Sequence, residues 1–339
     1  MQTTPYQRVL VVGSGNFGTC LACHLARVGH AVTLWSRDAA VVKSIMESHQ
    51  NPSYLSSILL PDSLQATLDL KAAVAEAEVI VLSIPTQAMR SVLHPLKGHI
   101  QETQLLISAS KGIELGTHYF VSDIVREVLG EAIAAKLTVL SGPSFAIEVA
   151  QGLPTAITMA SIDPTRAQWA QQVFHSPEFR AYTSSDPLGL EVAGALKNVI
   201  AIATGACVGL GLQENSRAAL ITRGLAEMTR IGAALGADPL TFGGLGGVGD
   251  LFLTCSSRKS RNFTVGFHLG QGKTLDEALK LAGSVAEGVT TTRAALELGT
   301  KLGVRMAITS ATYQVLFEGK PAQEALSQLI TRDASDERA

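Results

Sequence analysis

Arg8-Val9-Leu10-Val11-Val12, then Gly13-Ser14-Gly15-Asn16-Phe17-Gly18, then Thr19 to Val28 follow one another without a break near the start of the chain. The first piece is a continuous apolar run with β-branched residues and predicts a buried strand. The second spaces three glycines as GxGxxG, and the third is an apolar stretch of helical length. Each glycine has a physical task in such a strand, turn and helix unit. Gly13 permits the tight turn, Gly15 lets the backbone approach a pyrophosphate, and Gly18 lets helix and strand pack closely. Free N–H groups and the positive end of the helix dipole then face the phosphates, so a dinucleotide is the expected ligand. A second GxGxxG, Gly244-Leu245-Gly246-Gly247-Val248-Gly249, follows the helix-end signal Ala237-Asp238-Pro239 and has no strand before it. Only the first copy has the required context.

Working outward, 339 residues suffice for two domains with a large core, and 46% apolar against 17% charged residues marks a globular chain. The net charge is −2 and no run of Lys or Arg forms a basic stripe, which argues against nucleic acid or an anionic membrane as partner. Met1 to Gln7 is short and polar, without the zones of a signal peptide. The longest apolar stretch, Val192 to Leu212, is broken by Lys197-Asn198 and by glycines, unlike a membrane span. A soluble, cytoplasmic protein is expected. The four cysteines are too few and scattered for a disulfide framework; Cys20 and Cys23 have metal-ligand spacing but no second pair, so core packing is the reading for them.

From Val9 to about Tyr182, apolar runs alternate with amphipathic stretches. The further strand candidates are Ala31-Trp35, Leu64-Leu68, Val79-Ile84, Gln104-Ala109, Leu137-Leu140, Thr155-Ala160 and Phe179-Thr183. Ala39-Ser48, Gln87-Leu96 and Thr117-Leu129 read as helices between them. This alternation predicts an α/β fold, a Rossmann-type doubly wound parallel sheet covered on both faces, over residues 1–185. From about Asp186 the patterns are helical: Ser216 to Leu235 with Asn215 or Ser216 as cap and Gly236 as stop, then Leu275-Lys280, Thr291-Leu302, Ser310-Glu318 and Ala322-Leu329. An all-helical second domain over 186–339 is expected, with Arg332 to Ala339 disordered.

In a doubly wound sheet ligands bind past the carboxyl ends of the strands. Those positions hold Gly13 to Gly18, Ser36-Arg37, Ile84-Pro85, Ser110-Lys111-Gly112 and Ser141-Gly142-Pro143-Ser144. An acid after the second strand would bond the ribose 2′-hydroxyl of NAD, whereas an Arg can hold the 2′-phosphate of NADP. Trp35-Ser36-Arg37-Asp38 offers Arg37 first, which favours NADP and leaves Asp38 as a helix cap. In the second domain Lys197 interrupts an apolar helix; an unpaired buried ammonium is costly, so it must snorkel to water or point at an anion. Asp250, ending the loop Gly243 to Asp250, could pair with it or could be a helix N-cap. Ser256-Ser257-Arg258-Lys259-Ser260-Arg261-Asn262 gathers three cations with hydroxyl and amide groups, as a phosphorylated substrate would need.

Together these stretches resemble the NAD(P)-dependent glycerol-3-phosphate dehydrogenases of the bacterial, soluble type. The resemblance runs through Gly13 to Gly18, Ser110-Lys111-Gly112, Ser141 to Ala146, Leu196-Lys197-Asn198-Val199-Ile200-Ala201, Gly246 to Thr254, Ser260-Arg261-Asn262 and Glu287-Gly288, and it covers nearly the whole chain. It implies a Rossmann domain followed by a helical domain, a homodimer, no metal, and reversible hydride transfer from NAD(P)H to C2 of dihydroxyacetone phosphate. The product is sn-glycerol 3-phosphate for phospholipid synthesis. It further implies cofactor contacts at Asn16, Phe17, Arg37, Ala146, Val285 and Glu287. Substrate contacts are implied at Lys111, Gly142, Ser144, Lys197, Asp250, Ser260, Arg261 and Asn262, with Lys111 and Arg261 touching the cofactor too. Lys197 is the implied proton-transfer residue, its pKa lowered by its apolar helix and by Lys111 and opposed by Asp250. Where many members carry a further Arg after the Ser-Arg-Asn triplet, this chain has Phe263-Thr264. Another two-domain Rossmann enzyme, such as a hydroxyacid dehydrogenase or ketopantoate reductase, shares the first stretch, and a non-catalytic dinucleotide sensor needs only the glycine turn.

Overall fold

The computed structural model describes residues 6–283 and 285–330 and divides into two compact units. The first ends at Ser110, resumes at Val121 and runs to Pro187. The second takes Lys111–Phe120 together with the chain from Leu188 on, a return that no single linear boundary such as 185/186 expresses. The expected disorder of Arg332 to Ala339 lies outside the described residues.

The first unit is built on β1 (Arg8–Val12), β2 (Ala31–Trp35), β3 (Gln65–Thr67), β4 (Val79–Leu82), β5 (Leu105–Ser108), β6 (Thr138–Ser141), β7 (Thr155–Ala160) and β8 (Phe179–Ser184), in the spatial order β3-β2-β1-β4-β5-β6-β7-β8. Between them run α1 (Asn16–Val28), α2 (Ala39–Ser48), α3 (Leu70–Glu76), α4 (Thr86–Leu93), α5 (Val121–Leu129), α6 (Glu131–Ala134), α7 (Ala146–Ala150) and α8 (Pro164–Phe174). Every pairing is parallel except β6 with β7, which is antiparallel, so the sheet is parallel-dominated rather than wholly parallel. The continuous apolar runs follow from double burial: Val9, Val11, Val79 and Val81 enter one core, while Leu10, Val12, Ile80 and Leu82 enter the core on the opposite face. Chain order reverses between β1 and β4, the switch point at which such sheets bind ligands.

The second unit is helical: α9 (Pro187–Gly209), α10 (Glu214–Leu235), α11 (Asp250–Cys255), α12 (Arg261–Gly270), α13 (Leu275–Ala282), α14 (Glu287–Lys301), α15 (Ala307–Phe317) and α16 (Ala322–Ile330). By length and composition α9 could cross a membrane, but it is buried on nearly every face as a core helix of this unit. It lies hard against α12 because glycines on both remove the side chains between them. A Cβ at Gly205 would stand 2.0 Å from the Phe263 carbonyl oxygen, and one at Gly266 would stand 1.9 Å from that of Ile202. The helix predicted from Thr117 starts only at Val121, because His118 turns the chain at φ 63° and Thr117 donates to the Glu114 carboxylate. The α10 cap is Gln213, less than one turn before the expected Asn215 or Ser216.

Candidate active site

In the first unit the glycine loop leaves β1 and opens α1. Gly13 has φ 115°, and a Cβ on it would stand 2.4 Å from the carbonyl oxygen of Ser83 at the end of β4. One on Gly18 would collide with the carbonyl of Gly13 at 1.8 Å, whereas one on Gly15 would meet nothing within 4 Å. The loop is therefore closed behind and open in front, with half-buried Asn16 and Phe17 beginning a helix whose N-terminus has no side-chain cap. That cradle suits a pyrophosphate held by backbone N–H groups. Ser14 Oγ lies 2.7 Å from Ser36 Oγ and ties the loop to the end of β2. Arg37 stands next, exposed, while Asp38 caps α2 by accepting from Ala40 N–H. Past β6, Gly142 passes so close to β7 that a Cβ would stand 2.8 Å from Ile157 Cα. Ser144 donates to the Gly142 carbonyl at 2.9 Å, and Ala146 opens α7 against the core. Cys20 and Cys23 are fully buried on α1, in the packing role expected of them.

In the second unit Lys111, Lys197 and Asp250 converge. Phe242 and the glycine-rich turn Leu245–Gly249 deliver Asp250 as the first residue of α11; a Cβ on Gly247 would stand 2.2 Å from the Phe242 carbonyl oxygen, so this turn admits only glycine there. The second GxGxxG is thus an aspartate-presenting turn. Asp250 does not cap its helix. Its Oδ1 accepts from Lys197 at 2.7 Å and its Oδ2 from Lys111 at 2.6 Å. Thr254, one helical turn on, donates to the Asp250 main-chain carbonyl at 2.6 Å and accepts from Lys197 at 2.9 Å. An ammonium has three N–H bonds. Two of those on Lys197 are taken, and the third has no acceptor among the described residues.

Burial pushes the Lys197 ammonium from its ordinary value down to about 8; the Asp250 carboxylate opposes this and Lys111 reinforces it. Burial alone would raise the Asp250 pKa, but the two lysines outweigh it and hold the carboxyl below its usual range. Cys255, at the end of α11, stays a neutral thiol, pushed up to about 12 by burial. Lysine and aspartate are therefore ion-paired at neutral pH, with the lysine within reach of proton exchange.

Ser260 caps α12 by accepting from Phe263 N–H, so Arg261 and Asn262 form its first turn. The Asn262 amide donates to Asn198 Oδ1 at 2.9 Å and accepts from Gly288 N–H at 3.0 Å, linking α9, α12 and the start of α14. Its side chain is thus committed to joining three helices, leaving its main-chain N–H at the helix start. Arg261 is exposed, as is Arg258, whose guanidinium stacks by its face over the Phe267 ring at 4.0 Å. Val285 is exposed and Glu287 opens α14. Thr254 went unassigned in the sequence, although its place four residues after Asp250 on a helix was the available signal.

A glycine cradle at a sheet switch point in one unit and a lysine poised near neutrality in the other define a nicotinamide-dependent dehydrogenase of the two-domain Rossmann class. Models of the N-terminal and C-terminal parts of NAD-dependent glycerol-3-phosphate dehydrogenase match residues 8–167 and 186–327. The chain belongs to this family. It is 47% identical to the glycerol-3-phosphate dehydrogenase [NAD(P)+] of Anaeromyxobacter dehalogenans, covering 97% of this chain and 99% of the relative. A crystal structure of glycerol-3-phosphate dehydrogenase from Coxiella burnetii superposes with a TM-score of 0.91 at 36% identity, covering 96% of this chain and 99% of that one. A ketopantoate reductase from Ralstonia eutropha, at 15% identity and TM-score 0.57 over 94% and 99% of the two chains, shares the fold alone. The chain is accordingly an NAD(P)-dependent oxidoreductase, and the ketopantoate-type and sensor readings are not the ones these matches favour.

Proposed function

We propose that the chain reduces dihydroxyacetone phosphate reversibly to sn-glycerol 3-phosphate, with Lys197 moving the proton. The observation that carries this is the Asp250 carboxylate clamped between Lys111 and Lys197. A bound reduced dinucleotide would supply the hydride from its nicotinamide; Gly13, Gly15, Asn16, Phe17, Gly18, Arg37, Lys111, Ala146, Arg261, Val285 and Glu287 are the proposed contacts of the dinucleotide as a whole. As C2 gains hydride its oxygen becomes an alkoxide, which needs a cation and a proton donor within about 3 Å. The uncommitted N–H of Lys197 supplies both. Asp250 and Thr254 fix the ammonium, and Lys111 adds positive charge beside it. Ser260, Arg261, the Asn262 N–H, Gly142 and Ser144 are proposed substrate contacts, the helix start of α12 facing the phosphate. In functional terms we divide the chain into a dinucleotide part, 1–185, and a substrate part, 186–339. Purified protein oxidising NADPH or NADH with dihydroxyacetone phosphate tests the reading, and no turnover with either cofactor overturns it.

Arg261→Ala is expected to raise the KM for dihydroxyacetone phosphate at least ~10-fold, the scale of one charge-assisted hydrogen bond. Unphosphorylated dihydroxyacetone should change little; equal losses with both substrates would assign Arg261 to the fold or the cofactor instead.

Arg37 supports a preference for NADP(H). Arg37→Ala should weaken NADPH by ~10- to 100-fold through loss of the bond to the 2′-phosphate and leave NADH unchanged. Equal weakening of both removes the preference from Arg37. We further propose a cytoplasmic homodimer acting on small molecules, without membrane or nucleic-acid partner and without a metal; a monomer mass in sedimentation would overturn the assembly.

A further inference from the structure

The loop between α2 and β3 buries Leu60 and Leu64 in the core of the first unit, and with them one polar residue. Asn51 is 0% exposed. Its amide nitrogen donates to the Ser14 carbonyl at 2.9 Å and to Thr19 Oγ1 at 2.8 Å, while its Oδ1 accepts from the N–H groups of Ser53 and Tyr54, each at 3.1 Å. Thr19 in turn donates to the same Ser14 carbonyl at 3.1 Å. Two donors and two acceptor sites are all that an asparagine amide has, and every one is used. A flipped amide would set oxygen against the Ser14 carbonyl oxygen, so the orientation is unique.

Ser14 is the residue between the first two glycines of the dinucleotide loop. With two donors on it, its carbonyl cannot rotate. In a trans peptide the C=O and the following N–H point to opposite sides, and there is no cis peptide among the described residues. Fixing the Ser14 carbonyl toward Asn51 therefore aims the Gly15 N–H the other way. That N–H has no acceptor among the described residues, and the space at Gly15 is open.

We infer that Asn51, assisted by Thr19, is the positioning residue of the glycine loop: it holds the Ser14–Gly15 peptide in the one orientation that presents Gly15 N–H to the pyrophosphate of the dinucleotide. It touches neither cofactor nor substrate. Its value is preorganisation, since a fully satisfied buried network leaves the loop no competing arrangement. Because the pyrophosphate is common to NADH and NADPH, Asn51 acts on both alike, in contrast to Arg37.

The inference rests on the dinucleotide reading, and the test separates the two. NADH, NADPH and ADP-ribose are titrated by fluorescence or calorimetry against the parent chain, Asn51→Ala, Thr19→Val and Thr19→Ser, with thermal unfolding of each. Asn51→Ala should weaken all three ligands by the same factor, at least ~10-fold, while the KM for dihydroxyacetone phosphate at saturating cofactor stays within about twofold. Thr19→Val, nearly isosteric, should weaken them in the same direction by less, and Thr19→Ser, which restores the hydroxyl, should bind as the parent does. The losses from Asn51→Ala and Thr19→Val should not add in the double variant, because both act on one carbonyl. If Asn51→Ala does not fold, the Thr19 pair decides. A folded Thr19→Val that binds all three ligands as the parent does overturns the inference. A parent chain that binds no dinucleotide overturns the reading beneath it.

Discussion

Asp250→Asn is expected to slow dihydroxyacetone phosphate reduction by at least ~100-fold and to move the alkaline limb of its pH profile below that of the parent near pH 8. Asparagine keeps the shape of the side chain and removes the charge held between Lys111 and Lys197. The lysines then face each other as like charges, and Lys197 loses the partner that holds its pKa up against burial and Lys111. Reduction needs the protonated lysine, so activity is present below the Lys197 pKa and lost above it; a lower pKa brings that loss to lower pH. Oxidation of sn-glycerol 3-phosphate needs the neutral amine, so its rising limb moves to lower pH as well. The rate loss comes from geometry, because a displacement of about 1 Å at a reacting centre costs ~100-fold. Profiles of kcat in both directions, with circular dichroism to confirm folding, check both parts. A reduced kcat with unmoved limbs would leave Asp250 as an orienting group only, and an unchanged kcat would remove it from the mechanism.

The parts of this molecule that are legible in its sequence are those fixed by local chemistry. Ala31–Trp35, Ala39–Ser48 and Thr155–Ala160 fall where the apolar patterns put them, since a strand that fully buries alternate residues, as at Val32 and Leu34 or Ile157 and Met159, and a helix capped by its own Asp38 carry their instructions within a few residues. Where an element begins by tertiary contact, the pattern misleads. The α15 helix starts at Ala307, three residues before the apolar signal at Ser310, because the buried Glu227 carboxylate accepts from the N–H groups of Ile308 and Thr309. The α14 helix starts at Glu287 rather than Thr291 because Asn262 caps Gly288 from another helix. Caps supplied from 81 or 26 residues away leave no mark in the segment they cap.

The candidate site divides in the same way. Lys197 stands out in the sequence because a cation in an apolar helix contradicts its surroundings and demands a reason. Asp250 stands out less: a glycine-rich run before an acid fits a capped helix equally well, and only the fold shows both carboxylate oxygens turned to lysines. Asn51 is a single polar residue in a loop and gives no sequence signal; burial and four hydrogen bonds reveal it. The stacking of Arg258 on Phe267, nine residues on, is likewise a contact that only the fold shows.

Lys197→Met is expected to lower kcat by at least the ~100-fold of a lost general acid while cofactor binding survives. Methionine keeps the length and the fit of the side chain in an apolar helix, and Asp250 retains Lys111 as its ion-pair partner at 2.6 Å, so no unpaired charge is left buried. The variant thus removes the proton and the charge without removing the packing. What disappears is the donor whose pKa of about 8 lets it protonate an alkoxide at neutral pH and take the proton back in the reverse direction. Lys111 remains to stabilise negative charge but is held on the other carboxylate oxygen, so the residual rate should lose the limb near pH 8 that belongs to Lys197. Steady-state rates from pH 6 to 10 in both directions, beside NADPH titrations and thermal unfolding, separate these effects. A folded variant that binds NADPH and turns over within a few-fold of the parent, with the limb near pH 8 intact, would take proton transfer away from Lys197 and leave Lys111 as the group to which the alkoxide must turn.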